Sequence, residues 1–258
     1  MRRLCIIFFA AVLSFIPGIC ATWAAEESAP KPDKADELVR AGVIKANSGK
    51  LAQAVDLFDQ SLNLRKRNAA AHLNRGMAFL VQKRLDKAIQ DLDAALKIEP
   101  KLAEAYVARG MAYRLQGSFS HAASDFDKAI KLDGKNADAL MYRAVLSLDA
   151  GEPQKAIDDL NLVLQIKPGA PKALGNRAYV LEQLGKYDEA VKDLTSILAL
   201  DSNNLPAMKH LAFIYAQSGE FKQAVRWYRT ALKLEQDPRH RKRLEAEIRK
   251  LEQREAKN

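Results

Sequence analysis

Residues 103–136 read AEAYVARGMAYRLQGSFSHAASDFDKAIKLDGKN and residues 137–170 read ADALMYRAVLSLDAGEPQKAIDDLNLVLQIKPGA. Laid over one another they agree at spaced positions rather than in blocks: Ala103/Ala137, Arg109/Arg143, Gly117/Gly151, Ala122/Ala156 and Asp125/Asp159. Working outward, the same 34-residue period continues in both directions without insertion or deletion, giving six copies at 35–68, 69–102, 103–136, 137–170, 171–204 and 205–238. The eighth position is always small (Gly42, Gly76, Gly110, Ala144, Ala178, Ala212), and the twentieth is always alanine (Ala54, Ala88, Ala122, Ala156, Ala190, Ala224). Four residues beyond that alanine stands a large apolar residue (Phe58, Leu92, Phe126, Leu160, Leu194, Tyr228), which places the two on one helical face.

The fifteenth position is Gly49, Lys83, Gly117, Gly151, Gly185 and Gly219. Glycine there suits the left-handed conformation that ends a helix, so each copy reads as helix, tight turn, helix. Helices of about 14 residues are about 21 Å long and marginal alone, so they gain stability only by stacking. Small residues at the eighth and twentieth positions let the paired helices approach closely.

These features resemble the tetratricopeptide repeat family. Unit length, the small eighth residue, the alanine and the large apolar residue after it all match, as do Ala95, Ala129 and Ala231 at the twenty-seventh position and Pro100 and Pro168 near the unit end. Ser61, Val163 and Ile197 depart from the alanine, and Gly134 and Ser202 from the late proline. The resemblance covers residues 35–238 and implies an all-α, right-handed superhelix of six helix-turn-helix repeats. Its first helices would line a concave groove that binds peptides or proteins.

The ends differ from the array. Arg2 and Arg3 precede an apolar run, Leu4 to Ile16, followed by Pro17-Gly18 and small residues up to Ala25. That order predicts a secretory signal peptide over 1–24, cleaved after Ala24, and the run is shorter than the roughly 20 residues needed to span a bilayer. Ile19 before Cys20 argues against lipidation. The two cysteines, Cys5 and Cys20, fall in that segment, so an exported chain would hold no thiol and no disulfide. Residues 25–34, with Pro30 and Pro32, read as a flexible leader. After Asp237-Pro238, residues 239–258 read as a basic helix whose apolar stripe, Leu244, Ile248 and Leu251, would cap the last repeat.

Charge sharpens the picture. The formal net charge is +9, and for an exported protein the fitting anionic partners are envelope surfaces and acidic proteins, not nucleic acid. Arg75, Arg109, Arg143 and Arg177 occupy the seventh position of the middle repeats, and Asp91, Asp125, Asp159 and Asp193 the twenty-third, while the end repeats carry Ala41/Leu57 and Leu211/Trp227. Charges that come and go together predict a structural ladder of ion pairs, within or between repeats.

On the groove side implied by the resemblance, the fifth and ninth positions give Val39/Val43, Leu73/Met77, Val107/Met111 and Met141/Val145, then Gly175/Tyr179 and Lys209/Phe213. Arg114, Asp149, Lys172 and Glu182 surround them. The apolar, methionine-bearing strip reads either as core between neighbouring helices or as an adaptable partner surface. The carboxylate clamp of cytosolic chaperone adaptors is absent: Asn74 and Asn176 stand at its sixth position, but Val39/Val43 and Met141/Val145 precede them.

His72, His121, His210 and His240 are scattered, and neither a phosphate loop nor a nucleophile elbow occurs. The sequence therefore predicts a non-catalytic envelope adaptor, periplasmic or extracellular, without cofactor or metal, that grips a protein or peptide. The alternative is a structural envelope protein that self-assembles or docks on anionic surfaces through its basic end.

Overall fold

The computed structural model describes residues 33–256; the expected signal peptide and nearly all of the leader lie outside them. The described chain divides into two compact bodies, one ending at Leu132 and one beginning at Asp133. Among the described residues every regular element is an α-helix.

The first body holds α1 (Lys34–Asn47), α2 (Leu51–Leu64), α3 (Ala69–Val81), α4 (Leu85–Ile98), α5 (Ala103–Leu115) and α6 (Phe119–Leu132). Each pairs with its successor, and α1, α3 and α5 also touch in sequence, so the first helices of the repeats stand side by side. The second body holds α7 (Ala137–Asp149), α8 (Pro153–Ile166), α9 (Pro171–Gln183), α10 (Tyr187–Leu200), α11 (Leu205–Gln217), α12 (Phe221–Leu234) and α13 (Pro238–Glu255). It repeats the arrangement, with α13 packed on α12 through buried Leu244, Ile248 and Leu251.

Local chemistry sets the boundaries. The last residue of a repeat caps the next helix where it is asparagine: Asn68, Asn136 and Asn204 accept from the N–H groups of Ala71, Ala139 and Ala207 at 3.2, 2.9 and 3.0 Å. The turn inside each repeat closes through a positive φ at the fifteenth position, between 59° and 87° throughout, and Lys83 is the single non-glycine that adopts it among the described residues. The N–H of the following residue then reaches back to the carbonyl five residues earlier, as from Arg84 to Phe79 at 2.9 Å, satisfying a helix-end acceptor.

The core follows the period. All six alanines of the twentieth position are fully buried, and the large residue four later is 0 to 8% exposed in every repeat. Ser61, one of the departures at the twenty-seventh position, is also fully buried. Its hydroxyl donates to the Ala35 carbonyl at 2.8 Å and accepts from the Asn68 amide at 3.3 Å, so the polar atom is satisfied.

Candidate interaction site

The arginine ladder has two arms. In the middle repeats Arg75, Arg109, Arg143 and Arg177 each grip the aspartate of their own second helix (Asp91, Asp125, Asp159, Asp193) through Nε and a terminal nitrogen, at 2.7 to 2.9 Å. All four aspartates are buried. The other terminal nitrogen reaches backward: Arg75 to Asp59 at 2.5 Å, Arg109 to Asp93 at 2.5 Å, Arg177 to Asn161 at 2.7 Å. One guanidinium thus ties its own helix to the second helices of two successive repeats, a use of its fixed fork that lysine cannot reproduce.

The backward arm carries a signal that was not read from the sequence. The twenty-fifth position is Asp59, Asp93, Asp127 and Asn161, then Thr195 and Arg229. An acceptor stands wherever the next repeat has its arginine, a correlation visible only when each repeat is compared with its neighbour. Burial pushes the Asp91 carboxyl up, but hydrogen bonds from Arg75 and His72 outweigh it and hold that carboxyl below its ordinary value. His72 bonds Asp91 through Nδ1 at 3.1 Å and the Lys66 carbonyl through Nε2 at 3.2 Å, so it belongs to the scaffold.

The expected groove positions fall into three groups. Val39 and Val107 are buried, which corrects their placement on an open strip: they belong to the packing between helices. Leu73, Met77, Met111 and Val43 are half-buried, with their inner sides against the cores around Leu92 and Phe58. Arg114 lies half-buried beside them on α5. In the second body Met141 and Val145 are half-buried, Asp149 and Lys172 are exposed, and Tyr179 and Phe213 are 44% and 40% exposed. Lys209 is not an open cation: its amine is held by the buried carboxylate of Glu235. That contact keeps the Glu235 carboxyl below its ordinary value, burial opposing.

Tyr179 and Phe213 stand at the same position of successive first helices, α9 and α11. His210 Nε2 meets Glu182 Oε2 at 2.7 Å, joining those two helices, and the Tyr179 and His210 rings lie 6.5 Å apart. The α9–α11 face therefore combines two exposed aromatic rings with a charged or hydrogen-bonded bridge between them. It can offer apolar anchors and orient a polar backbone, but holds no nucleophile paired with a base. Among the described residues no three His, Cys, Asp or Glu gather to hold a metal, and no helix is long and apolar enough to cross a membrane.

Comparison with known proteins agrees with this architecture. YrrB, described as a TPR protein with an unusual peptide-binding site, shares the fold at 20% identity and a TM-score of 0.62, over 75% of this chain and 97% of YrrB. Pseudomonas aeruginosa pilF matches at 16% identity with a TM-score of 0.72, over 83% and 97% of the two chains. MamA matches at 26% identity with a TM-score of 0.55, over 61% and 92%. No curated protein matches the chain. One tetratricopeptide repeat family model matches residues 39–103 and 107–171, and a second matches 181–248. With paired helices, left-handed turns and a small-residue core at the same period, the chain belongs to the tetratricopeptide repeat family.

Proposed function

We propose that this protein is an exported, non-catalytic adaptor of the cell envelope that binds a peptide or amphipathic helix on its first-helix face, with the principal anchors at Tyr179 and Phe213. Tetratricopeptide repeats are protein-interaction scaffolds, which sets the class. The observation that carries the finer reading is the pair of rings held in the open on α9 and α11, where the other large apolar residues of the same positions are half-buried or buried. Leaving some two-fifths of each ring in water forgoes about 1 kcal/mol of burial each, which a bound apolar side chain would recover. YrrB, whose fold this chain shares, is itself described by a peptide-binding site. Export rests on the basic, apolar and small-residue order of the first 24 residues.

Selection of displayed peptides on the chain, followed by isothermal titration of a recovered sequence, tests the site. Tyr179→Glu with Phe213→Glu should abolish binding while far-UV circular dichroism stays unchanged. Met77→Glu with Met111→Glu, whose inner sides support the core, should lower stability. Retained binding in the aromatic pair would remove the anchors from the α9–α11 face.

A further inference from the structure

Five of the six second helices carry acidic residues on their outer surfaces, and α12 carries none. Where earlier repeats have Asp86, then Asp56 or Asp158, and then Asp59 or Asp93, α12 has Lys222, Arg226 and Arg229, and Lys233, at a position that is also lysine in Lys97 and Lys131, extends the row. Their spacing of four, three and four residues sets all four on one face, a row about 16 Å long. That row lines a cleft of about 510 Å³ between α12 and α13, together with Val225 and Thr230 of α12 and Glu252 and Glu255 of α13.

Two of the four cations already hold carboxylates: Arg229 pairs with Glu252 at 2.7 Å and Lys222 with Glu255 at 3.6 Å. Both acids come from α13, three residues apart on one helix, and show how a carboxylate-bearing segment seats here. Arg226 and Lys233 are exposed and have no side-chain partner among the described residues. The charge reversal, the cleft shape and the half-filled row coincide at one place.

We propose that the α12–α13 cleft is a second docking site, separate from the first-helix face, that takes an acidic segment of a protein partner. Its carboxylates would engage Arg226 and Lys233 and compete with Glu252 and Glu255 for Arg229 and Lys222. A lipid surface fits less well: the cations lie in a cleft whose lining includes two carboxylates, Glu252 and Glu255, which repel anionic headgroups, whereas a single peptide can lie along the row. Lys242, Arg243 and Arg249 on α13, exposed and outside the cleft, are where a membrane would make its contacts.

The test is fluorescence anisotropy of a labelled peptide of alternating Glu and Ala, with a Gln and Ala peptide as control, at low and physiological salt. The full chain should bind the acidic peptide alone. Arg226→Glu with Lys233→Glu should weaken it by about tenfold or more, and Arg243→Glu with Arg249→Glu, an equal change in net charge, by less than about threefold. Glu252→Gln with Glu255→Gln should tighten it by freeing Arg229 and Lys222, and circular dichroism should be unchanged in all variants. Equal losses in the two charge-reversed pairs would reduce the effect to net charge and overturn the site, as would binding of the control peptide or no binding. Binding to vesicles of phosphatidylglycerol and phosphatidylcholine that is lost in the Arg226/Lys233 pair, without peptide binding, would assign the cleft to lipid instead. The Tyr179/Phe213 variant should keep the acidic peptide, which separates failure here from failure of the first-helix reading.

Discussion

Replacing Gly110 by alanine sets two well-measured effects against each other, and the structure decides between them. Alanine in a helix interior is favoured over glycine by about 1 kcal/mol. The added Cβ, however, would lie 2.7 Å from Cε1 of Phe126, with two further ring carbons at 3.0 and 3.1 Å, where carbon atoms prefer about 3.5–4.0 Å. Phe126 is fully buried between Ala122 and Ala129, themselves fully buried, so the ring has nowhere cheap to go. Overpacking of this kind costs about 1–3 kcal/mol, so the net loss should be about 1 kcal/mol. The second body already pairs Ala144 with Leu160 and Ala178 with Leu194, which supplies the compensating change. Phe126→Leu alone should cost about 1 kcal/mol through the space it leaves, and Gly110→Ala with Phe126→Leu should lose less than the two losses summed, by about 1–2 kcal/mol. Urea denaturation followed by far-UV circular dichroism on wild type, both singles and the double measures that coupling. A gain of about 1 kcal/mol in Gly110→Ala with an additive double would show that propensity wins and that the contact does not constrain the eighth position.

The ladder makes two further predictions. Arg109→Ala leaves the Asp125 carboxylate, whose side chain is 3% exposed, without its forked partner and should cost about 3–5 kcal/mol in urea denaturation; Arg109→Lys should recover only part, since one ammonium cannot serve Asp125 and Asp93 as the fork does. Asp91, held below the ordinary carboxylate value, contributes stability that is fully present above the unfolded carboxyl pKa of about 4 and is lost as pH falls through the lower folded value. Asp91→Asn should therefore flatten the acid limb of a stability-against-pH curve below about pH 4 relative to wild type, and an unchanged limb would refute the coupling.

Much of the scaffold was legible because backbone demands recur with the period. Small residues mark close helix contacts, and the fifteenth position marks a left-handed turn, even at Lys83, where the period rather than the residue type reveals it. The bonding of Arg75 with Asp91 left a trace because both charges vanish together at the ends. Its partnership with Asp59 left an equal trace, shifted by one repeat and so hidden from comparison within repeats. Whether Val39 and Val107 are core or surface was left open by the sequence, because the fifth position lies at the border between the inner and outer faces of a first helix and its exposure depends on how far the neighbouring helix leans across it. Lys209 was unreadable for a similar reason: Glu235 captures it from beyond the end of α12, a contact set by the turn into α13 and not by any repeated spacing.

The two-armed arginine also bears on how such an array can change length. Arg75 stands sixteen residues after one acceptor and sixteen before the other, so shifting one helix by a single residue rotates its side chains by about 100° and disengages an arm. Removal of a whole repeat has no such effect: without residues 69–102, Asp59 would stand before Arg109 in the place of Asp93. Interior repeats are in this sense interchangeable parts with matching fittings on both sides, and the end repeats, lacking one fitting or both, are not. Duplication and deletion in multiples of one repeat are open to this lineage, while single-residue drift along the helices is closed.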